Sequence, residues 1–133
     1  MDEIVIGLRA TAIVRVGPAN TAVALGSGDV PVFGTPALVA LMEQAAMQAL
    51  ATHLKEGETT VGTWIEVSHL AATPLGMEVR AEAELIAIEG RQLTFAVRAH
   101  DSRARIGEGK HRRAIVGRER FLAKIGENRG TST

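Results

Sequence analysis

The 133 residues suffice for one hydrophobic core, so a single domain over residues 1–133 is expected. Fifteen basic residues cancel fifteen acidic ones and aromatics make up 3%, with no Tyr, which argues against a nucleic-acid surface built on a positive field and stacking rings. The absence of Cys excludes disulfides, thiolate metal sites and a Cys nucleophile, and fits a cytoplasmic chain.

The N-terminal segment MDEIVIGLRA opens acidic and carries only a short apolar run, unlike a secretory signal. Residues 8–16 (LRATAIVRV) read as a first strand. The following stretch, VGPANTAVALGSGDVPVFG, is rich in Gly, Pro and small residues and reads as a functional flap. Thr35 before Pro36 pairs an N-cap hydroxyl with Pro at the first helical position. A helix is predicted from Pro36 to Leu54, and KEGE at 55–58 ends it.

That helix is rich in Ala, Leu and Met, is apolar on nearly every face, and carries one formal charge, Glu43. Its length approaches a membrane span, but Glu43, Gln44, Gln48, Thr52 and His53 interrupt it. It is therefore expected at the buried centre of a soluble fold. An ionised carboxylate there requires a partner.

Beyond the helix the apolar period changes from 3.6 to 2. Strands are predicted over 60–72, over 76–89, at QLTFAVRAH after a Gly90–Arg91 turn, and at 104–117 after an Asp101–Ser102 turn. A short helix is expected over 118–124, with a frayed tail from about 125 to 133. The implied class is α+β, with one long helix across a curved, five-stranded antiparallel sheet. The sheet cannot cover that helix on all sides, so a homodimer is expected to hide the remainder.

The strand after the helix offers Glu43 its partner. By period 2, His69 shares a face with Thr63, Ile65, Val67 and Ala71, opposite Trp64, Glu66, Ser68 and Leu70. His69 and Glu43 would then meet in the apolar layer, where burial and mutual charge tune both towards acid–base work. The bland alternative is a purely structural buried pair. Thr35 and Glu43 are separated by about 12 Å of helical rise and lie on adjoining faces. The helix N-terminus beside Thr35 suits a carbonyl oxygen that gains negative charge. Lys110, His111, Arg112 and Arg113, near Arg118 and Arg120, form a basic cluster suited to phosphates. His53 and His100 read as surface residues, and no HExxH, GxSxG or phosphate-loop motif is present.

Thr35, Glu43 and His69, in the frames FGTPALVALMEQAA and VGTWIEVSHLAATPLGM, resemble the fluoroacetyl-CoA thioesterase-like group of hotdog-fold proteins. In that group a Thr, a Glu eight residues later and a His 26 residues after the Glu form the catalytic set, and this spacing matches at all three positions. The resemblance covers roughly residues 30–120, and HLAATP is its most specific string. It implies a hotdog fold, a homodimer, and hydrolysis of a short acyl-CoA thioester without metal or cofactor beyond the CoA of the substrate. Glu43 would be nucleophile or water-activating base, His69 the proton shuttle, and Thr35 an orienting group. The backbone of Gly62 would lie against the acyl group or carbonyl, and Phe33 would line the acyl pocket; from the basic cluster, Arg112 and Arg113 are the residues expected to meet CoA phosphates. The flap here, LGSGDVPVFG, retains only Phe33 of the namesake's aromatic-rich flap, which favours a general acyl-CoA thioesterase. A non-catalytic module that binds an acyl or aromatic ligand is the alternative. A hydratase would need an Asp on the helix, and there is none.

Overall fold

The structure, a computed structural model, describes the backbone of residues 3–131 and the side chains of residues 3–126. Strand β1 (Arg9–Arg15) leads through a 3-10 turn at Pro18–Asn20 and the short helix α1 (Ala22–Leu25) to the long helix α2 (Thr35–Leu50). Strands β2 (Glu58–His69), β3 (Glu78–Glu89), β4 (Gln92–His100) and β5 (Arg105–Gly117) follow, and helix α3 (Arg118–Thr131) is the last element among the described residues. Helix α3 runs past the expected 118–124 segment, and the last two residues of the expected tail lie outside the described residues.

The five strands form one antiparallel sheet in the order β1-β3-β4-β5-β2, so β1 and β2 are its edges. It curves around α2, which packs chiefly on β1 and β3. This is the hotdog fold.

The predicted alternation of β3 and β4 holds: Val79, Ala81, Ala83 and Leu85 face inward with Leu93, Phe95, Val97 and Ala99, all buried. Leu38, Leu41, Met42, Ala45, Ala46, Ala49 and Leu50 of α2 fill the concave side. Burying a Leu fully is worth about 1.5–3 kcal/mol, so this stripe fixes the helix in the sheet. Gly107 on β5 lets the helix come close, because a Cβ there would lie 2.9 Å from Leu38 Cδ2 and 3.3 Å from Met42 Cε.

Both ends of α2 differ from the sequence expectation. Gly34, not Thr35, is the N-cap, and its carbonyl accepts from the Leu38 N–H at 3.0 Å. Thr35 is thus the first helical residue, and its hydroxyl is free of capping duty. The helix stops at Leu50 rather than Leu54. There the chain tightens into turns, with Ala51 N–H donating to Gln48 O and His53 N–H to Leu50 O. No helix among the described residues is long and apolar enough to cross a membrane.

Candidate active site

Two polar clusters lie along α2, one at each end of the β2 segment from Gly62 to His69. At the helix start, Thr35 Oγ1 and His69 Nδ1 share a hydrogen bond of 2.7 Å. The Nε2 of His69 is buried and has no hydrogen-bond partner among the described residues. Burial pushes His69 below the ordinary histidine range, which favours the neutral ring. A groove of about 360 Å³ opens beside this pair, lined in part by Phe33, Thr35, His69 and Leu70.

Two turns further along the helix, Glu43 Oε2 lies 3.7 Å from Arg113 Nη1 and 4.0 Å from His111 Nε2. The expected Glu43–His69 partnership is therefore corrected within this subunit. Glu43 faces His111 and Arg113, and His69 pairs with Thr35.

A β-bulge explains part of the difference. The β2–β5 register jumps between Gly62 and Trp64, leaving Thr63 as the extra residue. Strict alternation from His69 places Thr63 on the helix-facing side and Gly62 away from it. The bulge reverses this: Gly62 turns inward, where a Cβ would lie 2.8 Å from Glu43 Oε2. Thr63 is exposed instead, and its hydroxyl donates to Arg112 O at 3.3 Å.

The basic cluster also divides by strand alternation. His111 and Arg113 point inward and are buried, whereas Arg112 points outward and stacks over the Trp64 ring at 4.5 Å. Arg113 is thereby removed from the exposed phosphate-binding cluster expected from sequence. Its Nε donates to Thr60 Oγ1 at 2.8 Å, its Nη2 to Thr60 O at 3.1 Å, and its Nη1 to His111 Nε2 at 3.1 Å. Burial pushes His111 below its ordinary range, helped by the Arg113 charge, against the Trp64 carbonyl and Glu43. Burial likewise lowers Arg113, against the opposing pull of Glu43. The signal for this inward pair was available in GEGKHRRAIV, since residues 107, 109, 111, 113 and 115 share one face.

The flap is tied down by the HLAATP string. Phe33 is buried in the core rather than spread over the surface, and its N–H donates to Thr73 O at 2.9 Å. Thr73, fully buried, donates its hydroxyl to Asp101 Oδ2 at 2.9 Å. Among the described residues no group of three or more His, Asp or Glu is placed to hold a metal ion.

Comparison with known proteins identifies the family. Residues 16–119 match the family described as fluoroacetyl-CoA-specific thioesterase, FlK. The fluoroacetyl-CoA thioesterase of Streptantibioticus cattleyicolor is 48% identical over 94 residues, spanning 71% of this chain and 68% of that protein. A crystal structure of a mutant of the fluoroacetyl-CoA-specific thioesterase FlK superposes with a TM-score of 0.90 at 40% identity, over 96% of this chain and 99% of that one. Such a mutant in complex with fluoroacetate and CoA superposes with a TM-score of 0.83 at 40% identity, over 89% and 99%. The chain belongs to the FlK family of thioesterases.

Proposed function

We propose that this chain hydrolyses a short acyl-CoA thioester to the free acid and CoA, with Glu43, His69 and Thr35 as its catalytic set. The observation that carries the reading is the placement of the three side chains at family spacing on one helix and one strand. Glu43 acts in one of two ways. Its carboxylate attacks the thioester carbonyl, giving a mixed anhydride that water then cleaves, or it takes a proton from the attacking water. In either case the C–S bond breaks and the sulfur leaves as thiolate. His69 takes up at Nε2 the proton that the attacking water gives up and passes it to that sulfur, while Thr35 holds Nδ1. Gly62 leaves room for the acyl group beside Glu43. Phe33 lines the groove at the Thr35 end, and the exposed Arg112 is the remaining candidate of the pair for CoA phosphates.

The reading includes a homodimer, with a cytoplasmic location in keeping with the Cys-free chain. Strand β2 is a 12-residue edge that carries the exposed Trp64, and Met47 on the outward face of α2 is 51% exposed. Antiparallel pairing of two β2 edges about a two-fold axis between Gly62 and His69 would bring His69 of the partner subunit towards Glu43. The two half-sites of each subunit then become two whole sites.

The test is thiol release from a panel of short acyl-CoAs, including acetyl-CoA and fluoroacetyl-CoA. Turnover by wild-type protein and its loss in Glu43→Gln are expected. Ligand-dependent thermal stabilisation without turnover would instead support a binding module, and full activity in Glu43→Gln would remove Glu43 from the mechanism.

A further inference from the structure

His111 sits between two groups that can each take only one side of a hydrogen bond. Its Nδ1 is 2.8 Å from the Trp64 carbonyl oxygen, which only accepts, so Nδ1 carries the hydrogen. Its Nε2 is 3.1 Å from Arg113 Nη1, and a guanidinium only donates, so Nε2 carries none. Both contacts therefore specify the same neutral tautomer. A proton added at Nε2 would point at an N–H of a cation, in a place with 1% side-chain exposure. His111 is thus unsuited to exchange protons with Glu43, although it lies 4.0 Å away.

The consequence falls on Arg113. Thr60 holds its Nε and Nη2, and His111 holds Nη1, so all three guanidinium nitrogens are anchored by neutral acceptors. The plane so fixed places Nη1 3.7 Å from Glu43 Oε2. The anchors span both strands, since Thr60 and the Trp64 carbonyl belong to β2 and His111 belongs to β5. The charged or titratable groups facing His111 are Glu43 from α2 and Arg113 from its own strand, and the Phe95 ring from β4 lies 6.5 Å away, centroid to centroid.

We propose that His111 is a positioning residue, locked as the neutral Nδ1–H tautomer between the Trp64 carbonyl and Arg113, whose task is to aim Arg113 Nη1 at the Glu43 carboxylate. The proposal deepens the thioesterase reading and rests on Glu43 as the reacting carboxylate. The charge that Glu43 meets is the guanidinium, and the histidine orients that charge without titrating. In FlK-type hydrolysis this keeps one carboxylate oxygen directed in a site where a displacement of about 1 Å costs up to 10²-fold in rate.

Two measurements on the full-length protein test it. In wild-type protein, a long-range ¹H–¹⁵N correlation spectrum should show His111 as the Nδ1–H tautomer, unchanged from about pH 5.5 to 8. An Nε2–H tautomer, or titration near the ordinary histidine value, would overturn the proposal without reference to activity. In acetyl-CoA hydrolysis, His111→Leu should lower kcat by about 10–100-fold with KM within about threefold. His111→Gln, which returns an acceptor towards Arg113, should recover much of that loss. Wild-type kcat in His111→Leu, or equal losses in folded Leu and Gln variants, would overturn it. Glu43→Gln runs alongside: if it keeps full activity, the catalytic reading itself fails, whereas an inactive Glu43→Gln beside an unaffected His111→Leu sinks only the positioning role. Should His111→Leu fail to fold, the spectrum and the Gln variant still decide.

Discussion

A Cβ on Gly62 would meet Glu43 Oε2 at 2.8 Å, His111 Cε1 at 3.2 Å and Arg113 Nη1 at 3.4 Å. The nearest of these is the far end of a flexible side chain that is 39% exposed, so Gly62→Ala has a cheap way to relax by displacing the carboxylate. We expect Gly62→Ala to fold with a melting temperature near wild type and to lose about tenfold or more in kcat. Thermal melts beside thiol-release kinetics check it, and a large loss of stability at unchanged rate would refute it. Protons give a second prediction at this scale. Burial lowers His69 and His111 from the ordinary value of 6.5, so the unfolded chain binds more protons than the native one. Their contribution to stability is fully present above about pH 6.5 and is lost as pH falls through their folded values. Melting temperature should therefore drop as pH is lowered below about 6.5, less steeply in His111→Gln, and an equal slope in both proteins would count against it. Glu43 was legible in the sequence because it is the one formal charge in its helix. Its neighbours were not, because periodicity assigns a face and says nothing of which residue on another strand lies opposite. The hydroxyl of Thr35 was legible as a helix-start residue, but Gly34 fills the N-cap position and frees it for His69.

The strands were legible nearly to their ends because one face of each is buried, which writes a period of two into β3 and β4. The bulge at Thr63 was hidden, since an extra residue changes which side chains face the helix without changing composition. The end of α2 was hidden too, because Ala51 to Leu54 has the composition of a helix and the bonding of a turn. The connection from β2 to β3, which holds Thr73, is tied to the turn between β4 and β5, which holds Asp101. Asp101 is buried, which raises its pKa, but N–H groups of Arg103 and Ala104, the Thr73 hydroxyl and the Arg103 guanidinium outweigh this and hold it below the ordinary carboxylate range. Thr73 in turn holds the Phe33 amide, so the carboxylate anchors the flap at one remove. Asp101→Ala leaves several donors unpaired and should cost about 1–3 kcal/mol in denaturant unfolding. Faster amide exchange at Phe33 should accompany it. Because the folded value is depressed, the Asp101 contribution is present above the ordinary value of 3.8 and fades as pH falls below it, a window distinct from that of the histidines. Unchanged exchange at Phe33 would show that the flap does not depend on this anchor.

In the whole molecule, the proposed catalytic set is divided between two places along one strand: Glu43 beside Gly62, and Thr35 beside His69. A single subunit holds these halves two helical turns apart, about 12 Å of rise. A two-fold axis across the β2 edge would join each half to the complementary half of its partner. This arrangement makes an asymmetric prediction that a site built within one subunit does not share. Glu43→Gln and His69→Ala homodimers should each be inactive. In a mixed dimer, one site combines both lesions, and the other combines the intact Glu43 of one subunit with the intact His69 of its partner. Random exchange makes about half the dimers mixed, each with one whole site, so about a quarter of wild-type activity should return. Unfolding and refolding the two variants together, then separating the mixed dimer by a tag on one partner, isolates the effect. Activity that stays at the level of the parents, with the mixed dimer demonstrably formed, would place Glu43 and His69 in the same subunit's site. Restoration would place the reacting carboxylate and its proton shuttle on different chains, which makes the β2 edge as much a part of the chemistry as Glu43 itself.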